Sequence, residues 1–259
     1  MLEIFDSHAH YDSGAFDEDR DTLLNTLSEK GVCGVINCAD TLESAKRSSQ
    51  LCEQYPFLYM AAGVHPENAA DVDVATLEAA LTPFLTAPKT VAVGEIGLDY
   101  YWEDACPREK QLEVFETQLQ IAQKFDLPVI VHDREAHADT VRLLKQYRPR
   151  GVVHCFSGSV ETMKEIVNLG MYIGLGGVVT FKNAKTPVEV AAAVPLDRLL
   201  LETDAPYMAP VPFRGKRCDS SLIPLAAEKI AQLRGMETED ILHITVQNVR
   251  TLFKIEKTQ

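Results

Sequence analysis

The sequence predicts an α/β barrel of eight strand–helix units, and three observations carry that prediction. Short, β-branched apolar runs recur along the 259 residues. Longer stretches with helical periodicity separate them. No glycine-rich phosphate loop follows the first run, where a doubly wound sheet, the main competing architecture, would carry one. Strand–helix alternation over this length is the pattern of a (β/α)8 TIM barrel.

The runs, in order, are LEIF (2–5), VCGVIN (32–37), LYMAAGV (58–64), TVAVGEI (90–96), LPVIVH (127–132), GVVHCF (151–156), MYIGLG (171–176) and RLLLETD (198–204). Between them lie amphipathic segments such as DEDRDTLLNTLSEKG and PREKQLEVFETQLQIAQKFDLP. The latter sets Leu112, Phe115, Leu119, Ile121 and Ala122 on one side, with charges opposite, and Pro128 marks its end. After the eighth run, 222–234 and 238–254 read as closing helices, with Asp219, Ser220 and Thr238 as candidate caps. No repeat and no linker interrupts this rhythm, so residues 1–259 are expected to form a single domain.

Composition narrows the function. With 46% hydrophobic and 24% charged residues the chain is of ordinary globular type, and no apolar run is long enough to span a bilayer. The start, MLEIFDSHAH, has neither the basic nor the apolar region of a signal peptide, so a cytoplasmic protein with no membrane association is expected. The six cysteines are scattered without a CxxC pair and read as reduced thiols. A net charge of −13 excludes a general nucleic-acid coat. Any phosphate affinity must therefore be local, supplied by a metal or a small basic cluster.

Active groups of such barrels sit at the C-terminal strand ends. Five of the seven histidines fall there: His8 and His10, His65, His132 and His154; His137 lies five residues beyond His132, and only His243 is remote. Strand four carries Glu95, and strand eight ends in Glu202-Thr203-Asp204. A lone strand-end histidine is ordinarily a structural residue, but His8, His10, Glu95, His132, His154 and Asp204 would converge on one mouth. Imidazole and carboxylate donors without cysteine suit Zn²⁺, Mn²⁺, Ni²⁺ or Fe²⁺, whereas Mg²⁺ prefers oxygen ligands. Six groups exceed what one tetrahedral ion needs, so two divalent ions with Glu95 bridging are expected, and the chemistry implied is hydrolysis.

FDSHAHYD, GVHPENA, GEIGLDYYW, FETQLQIAQKFDLPVIVHDREA, HCFSGS, GLGGVVTFKNA and LLLETDAPYMAPVPFRGKR, spread over residues 4–217, resemble the TatD family of metal-dependent hydrolases, within the amidohydrolase-like barrels. The resemblance implies a binuclear metal site (Mg, Mn, Zn or Ni) and deoxyribonuclease activity, with single-stranded DNA or nucleic-acid ends as substrate. It implies that His8 and His10 hold the first ion, that Glu95 bridges, and that His132 and His154 hold the second. Asp204 would sit by the first ion as ligand and proton acceptor, and His65 would touch substrate. Some members lack the first-strand HxH pair, which this chain keeps. Family members often read PVPHRGK where this chain has PVPFRGK, so Phe213 replaces a histidine; base stacking and loop packing are both open for it.

Arg214, Lys216 and Arg217 form a basic cluster beside Asp204 and are expected to bind phosphate, the alternative being a solvated loop. Arg134 would contact phosphate or pair with an acidic neighbour, and Glu202 would support a ligand from behind or serve as a buried structural carboxylate. The competing reactions for the same site are ester or amide hydrolysis, as in an aminoacyl-tRNA deacylase or an amidohydrolase, and a scaffold without catalysis. A monomer or weak oligomer is expected.

Overall fold

Every strand pairs in parallel with the next in the chain, so the sheet runs from the first to the eighth in chain order. The computed structural model describes residues 3–102 and 106–256. Its strands are β1 (Ile4–Ala9), β2 (Val32–Cys38), β3 (Leu58–Ala62), β4 (Thr90–Asp99), β5 (Val129–Arg134), β6 (Gly151–Val153), β7 (Tyr172–Leu175) and β8 (Leu199–Leu201). Each of the eight apolar runs overlaps one of them, although Leu2 of the first run lies outside the described residues. The helices are α1 (Arg20–Leu27), α2 (Leu42–Gln54), α3 (Val74–Leu85), α4 (Arg108–Lys124), α5 (His137–Tyr147), α6 (Val160–Asn168), α7 (Lys185–Ala193), α8 (Ile223–Arg234) and α9 (Thr238–Phe253). Asp219 accepts from the Ser221 N–H at 2.9 Å and caps the short turn before α8. Thr238, expected as a cap, is instead the first residue of α9.

The barrel closes where β8 meets β1. Ala9 and Ala205 form a parallel bridge, the Asp204 N–H donates to the His8 carbonyl at 2.9 Å, and the His10 N–H donates to the Ala205 carbonyl at 2.7 Å. A buried polar seam reinforces this edge. Asp6 accepts from the Thr203 hydroxyl and the Ser220 hydroxyl, both at 2.6 Å, while the Ser7 hydroxyl donates to the Leu201 carbonyl at 3.0 Å. Burial raises the Asp6 carboxyl to about 7 even though these hydrogen bonds favour its charged form. The seam also explains why β1 runs on to Ala9, past the LEIF segment read from the sequence. Asp6 and Ser7 are strand residues whose polar groups find partners inside the barrel.

Buried residues from every strand build the inner apolar layer: Phe5, Ile36 with Cys38, Ala61, Ala92, Ile130, Val152, Tyr172 and Leu200. From α9, Val246, Val249, Leu252 and Phe253 pack into the same layer. Asn248 donates to the Leu196 and Leu199 carbonyls at 2.7 and 2.8 Å, so α9 plugs the end where the strands begin. At the other end the inward positions turn polar. Two residues past Ile130, Val152 and Leu200 come His132, His154 and Glu202, which the two-residue strand period turns to the same face. On β7 that position is Gly174, where an added Cβ would lie 2.3 Å from a Glu202 carboxylate oxygen. Among the described residues no helix is long and apolar enough to cross a membrane.

Candidate metal centre

Glu95 stands at the centre of the barrel mouth, 3% exposed, with its two carboxylate oxygens facing different histidines. Oε2 lies 3.1 Å from His8 Nε2 and 3.5 Å from His10 Nε2. Oε1 lies 2.7 Å from His154 Nε2, 2.9 Å from His132 Nδ1 and 3.5 Å from His65 Nε2. Asp204 closes the first half, its Oδ1 at 3.7 Å from His8 Nε2 and 3.4 Å from His10 Nε2. Its backbone sits at φ +60°, a conformation unusual for a non-glycine residue. The bond to the His8 carbonyl and the turn closed by the Tyr207 N–H at 2.8 Å hold it there.

The tautomers suit metal binding. His10 Nδ1 donates to the Cys38 carbonyl at 2.8 Å, which leaves the Nε2 lone pair directed inward when the ring is neutral. His132 is turned the other way round: Nε2 donates to Asp99 Oδ2 at 3.0 Å and Nδ1 faces Glu95. Such outer hydrogen bonds are the usual means of orienting a ligating imidazole. Behind His154, Glu202 Oε1 stands 3.7 Å from Nδ1 and accepts the Cys155 N–H.

Charge balance points the same way. Burial alone would raise the Glu95 carboxyl, but His154, His8, His65 and the His132 hydrogen bond reverse this and hold it well below the carboxylate range. Burial likewise opposes charge on His10 and His154, yet the surrounding carboxylates raise both, His10 to about 9. His8 is lowered by burial and by His154, and His65 is lowered to about 3 by burial and by His132. The carboxylates thus demand positive charge, which protons or divalent cations can supply.

Donor atoms sharing one ion at about 2.1 Å stand roughly 3.0–3.4 Å apart, and the spacings above bracket that range. Three overlapping groups of donors lie within 4.8 Å of one another: His8, His10 and Glu95; His8, His154 and Asp204; His65, Glu95 and His132. The residues present therefore fit a divalent metal. All six expected ligands come together here. The grouping also brings His65 to Glu95 and His132, and it sets His154 with His8 and Asp204, where the resemblance implied a pair with His132; His154 Nε2 nevertheless lies 3.3 Å from His132 Nδ1.

The substrate candidates divide. Arg134 packs its guanidinium over the Tyr101 ring, 3.9 Å from the centroid. Arg214 lies over Phe181 at 4.5 Å, and among the described residues neither it nor Lys216 makes an ion pair. Arg217 is committed elsewhere, holding Asp19 through two hydrogen bonds of 2.8 and 2.6 Å and donating to the Ala15 carbonyl at 2.8 Å. Phe213 is exposed on the same loop.

Sequence reasoning missed two buried glutamines of α4. Gln118 pairs with both backbone groups of Val64, accepting its N–H at 2.8 Å and donating to its carbonyl at 3.0 Å, next to His65. Gln111 does the same for Asp99, at 2.8 Å each way. Their signal was a polar residue recurring at i and i+7 inside the apolar face of the helix.

A model of the family described as TatD related DNase matches residues 5–254. The chain belongs to the TatD-related DNase family. This is a family of metal-dependent hydrolases, and the barrel with its cluster of donors agrees with that membership. The chain is 40% identical to the uncharacterized metal-dependent hydrolase YabD of Bacillus subtilis, over 97% of this chain and 99% of that one. It is 34% identical to the TatD 3'-5' ssDNA/RNA exonuclease of Escherichia fergusonii, over 97% and 99%. Among solved structures, the TatD homolog YjjV of Escherichia coli superposes with a TM-score of 0.89 at 36% identity, covering 98% of each chain.

Proposed function

We propose that this TatD-family hydrolase is a two-metal nuclease that trims the ends of single-stranded nucleic acid. The observation that carries the reading is the division of Glu95, with Oε2 toward His8 and His10 and Oε1 toward His132 and His154. A carboxylate so placed suits a bridge between two ions. The name of the Escherichia fergusonii relative supports a phosphodiester substrate.

His8, His10 and Asp204 would hold one ion and His132 and His154 the other, with Glu95 shared. Bound there, divalent metal supplies Lewis acidity and a water acidified toward neutral pH. The attacking water gives its proton to Asp204, which burial alone would neutralise but which the His10 hydrogen bond and the charges of His8 and His10 keep ionised. The new P–O bond forms as the bond to the leaving sugar oxygen breaks. His65 Nδ1 accepts the Glu67 N–H at 3.2 Å, so this neutral imidazole carries its proton on Nε2 and donates from there to substrate oxygen. Arg134, Arg214 and Lys216 bind flanking phosphates. Burial of most cysteines and the absence of disulfides among the described residues support a reducing, cytoplasmic setting.

The deciding experiment reloads metal-free protein with Mg²⁺, Mn²⁺, Zn²⁺ or Ni²⁺ and offers end-labelled single-stranded DNA, RNA and an aminoacyl-tRNA. Release of nucleotides from a strand end, lost in Asp204→Asn and Glu95→Gln, is expected. Hydrolysis of the aminoacyl ester alone would replace the nuclease reading with an esterase one.

A further inference from the structure

Tyr101 and Trp102 are 51% and 50% exposed, although both lie just beyond β4 at the barrel mouth. The rings meet edge to face, with centroids 4.8 Å apart and planes at 88°. Arg134 stands over both, 3.9 Å from the Tyr101 centroid and 5.6 Å from that of Trp102.

The pair is registered to the metal centre by one carboxylate. Asp99 Oδ2 takes the His132 Nε2–H at 3.0 Å, while Oδ1 takes the backbone N–H groups of Tyr101 and Trp102 at 2.9 and 3.3 Å. Arg134 is fixed from the other side: its carbonyl accepts the Tyr100 N–H at 2.9 Å, and it lies two residues beyond His132 on β5. A second cation, Arg108, covers the Tyr100 ring at 4.3 Å. Exposed rings flanked by a guanidinium group, in a chain of net charge −13, suit an occupant that is both flat and anionic.

We propose that Tyr101 and Trp102, braced by Arg134, form a stacking subsite for one unpaired base of the strand being cleaved. The inference rests on the nuclease reading and deepens it. An unpaired base offers a face to these rings, whereas a base inside a duplex is covered on both sides. The adjoining phosphate meets Arg134. The Asp99 link sets a fixed distance between this base and the reacting bond, so the subsite selects single strands and sets which nucleotide occupies the metals.

The test uses metal-loaded, full-length protein and end-labelled single strands carrying one abasic residue, walked through the terminal nucleotides. At one position the missing base should raise KM about tenfold, on the scale of a lost base–aromatic stack, with kcat little changed. Trp102→Leu should raise KM for the intact strand by a similar factor and become indifferent to the abasic residue, and Trp102→Phe should recover most of the difference. Trp102 is the only tryptophan of the chain, so its fluorescence in metal-free wild-type protein should be quenched by the intact strand and less by the abasic one. Equal KM at every abasic position, or a position-dependent penalty that survives Trp102→Leu, overturns the subsite while leaving the nuclease reading in place. A change in sedimenting mass on Trp102→Leu without a change in KM assigns the rings to self-association and also overturns it. Failure of the wild-type protein to cleave any strand removes the nuclease reading, and the subsite with it.

Discussion

Asp99 accepts the Nε2–H of His132 at 3.0 Å and thereby turns Nδ1 of that ring toward Glu95, 2.9 Å away. The carboxylate is buried, yet its pKa is lowered: burial pushes it up, and the His132 hydrogen bond and charge with the Tyr101 and Trp102 N–H groups outweigh that. Asp99→Asn keeps the shape but removes the charge that favours this tautomer. Affinity for divalent metal should fall about 10- to 100-fold, the usual cost of losing such an outer partner. Calorimetric titration of metal-free protein measures it, and unchanged affinity would show that His132 needs no such orientation.

His137 offers a pH-dependent test away from the donors. Its Nδ1 lies 2.7 Å from Asp133 Oδ2, tying the start of α5 to the end of β5. That hydrogen bond raises the His137 pKa against a smaller opposing effect of burial. A raised histidine contributes stability that is fully present below its unfolded value of about 6.5 and is lost as pH climbs through the higher folded value. His137→Gln should therefore lower Tm at pH 6 and leave it unchanged at pH 9. The ring is 34% exposed, so screening keeps the effect below about 1 kcal/mol. A deficit that grows with pH would contradict the assignment.

Arg214 and Arg217 are separated by three positions and should behave differently. Arg217 ties its loop to Asp19 and to the Ala15 carbonyl and stacks over Phe16 at 4.8 Å. Arg217→Ala should cost stability, about 1 kcal/mol for an ion pair at the surface, without altering the salt dependence of strand binding. Arg214→Ala should leave Tm in place and reduce the slope of log affinity against log salt by about one unit. Fluorescence titrations at several salt concentrations, beside thermal melts, separate the two; identical slopes for both variants would leave Arg214 without a phosphate.

The strands and the donors were legible because each follows from a local pattern. Val152 and Val153 announce a buried strand, and His154 after them falls at its end. Convergence needed only the barrel, which returns His8 and Asp204 to one rim. What local pattern hides is the partner of a polar side chain. RGKR reads as a uniform basic run, yet the fold spends Arg217 on Asp19, which is 198 residues away in sequence. The polar run FDSHA shows by its histidines where the strand ends but not what satisfies Asp6, because the seam residue Thr203 is 197 residues away in sequence. Gln111 and Gln118 recur inside the apolar face of α4, but the backbone groups their amides satisfy come from Val64 and Asp99, which only the fold sets beside them.

Those glutamines make the sharpest separation. Each presents its amide to a strand-end peptide group as a neighbouring strand would, and each is nearly fully buried, at 2% and 1%. Replacement by methionine keeps the volume and leaves backbone groups unpaired, costing about 1–3 kcal/mol for each such group. Both variants should therefore melt lower, by about 5–10 °C for a chain of this size. Their functional effects should part. Gln111→Met loosens Asp99, and so His132, and should weaken metal binding as Asp99→Asn does. Gln118→Met loosens Val64 beside His65, which is placed to meet substrate, and should raise KM while metal affinity holds. Metal titration and steady-state kinetics on the same preparations decide. If both variants lose metal equally, α4 acts only as general packing and the two glutamines have no separate tasks.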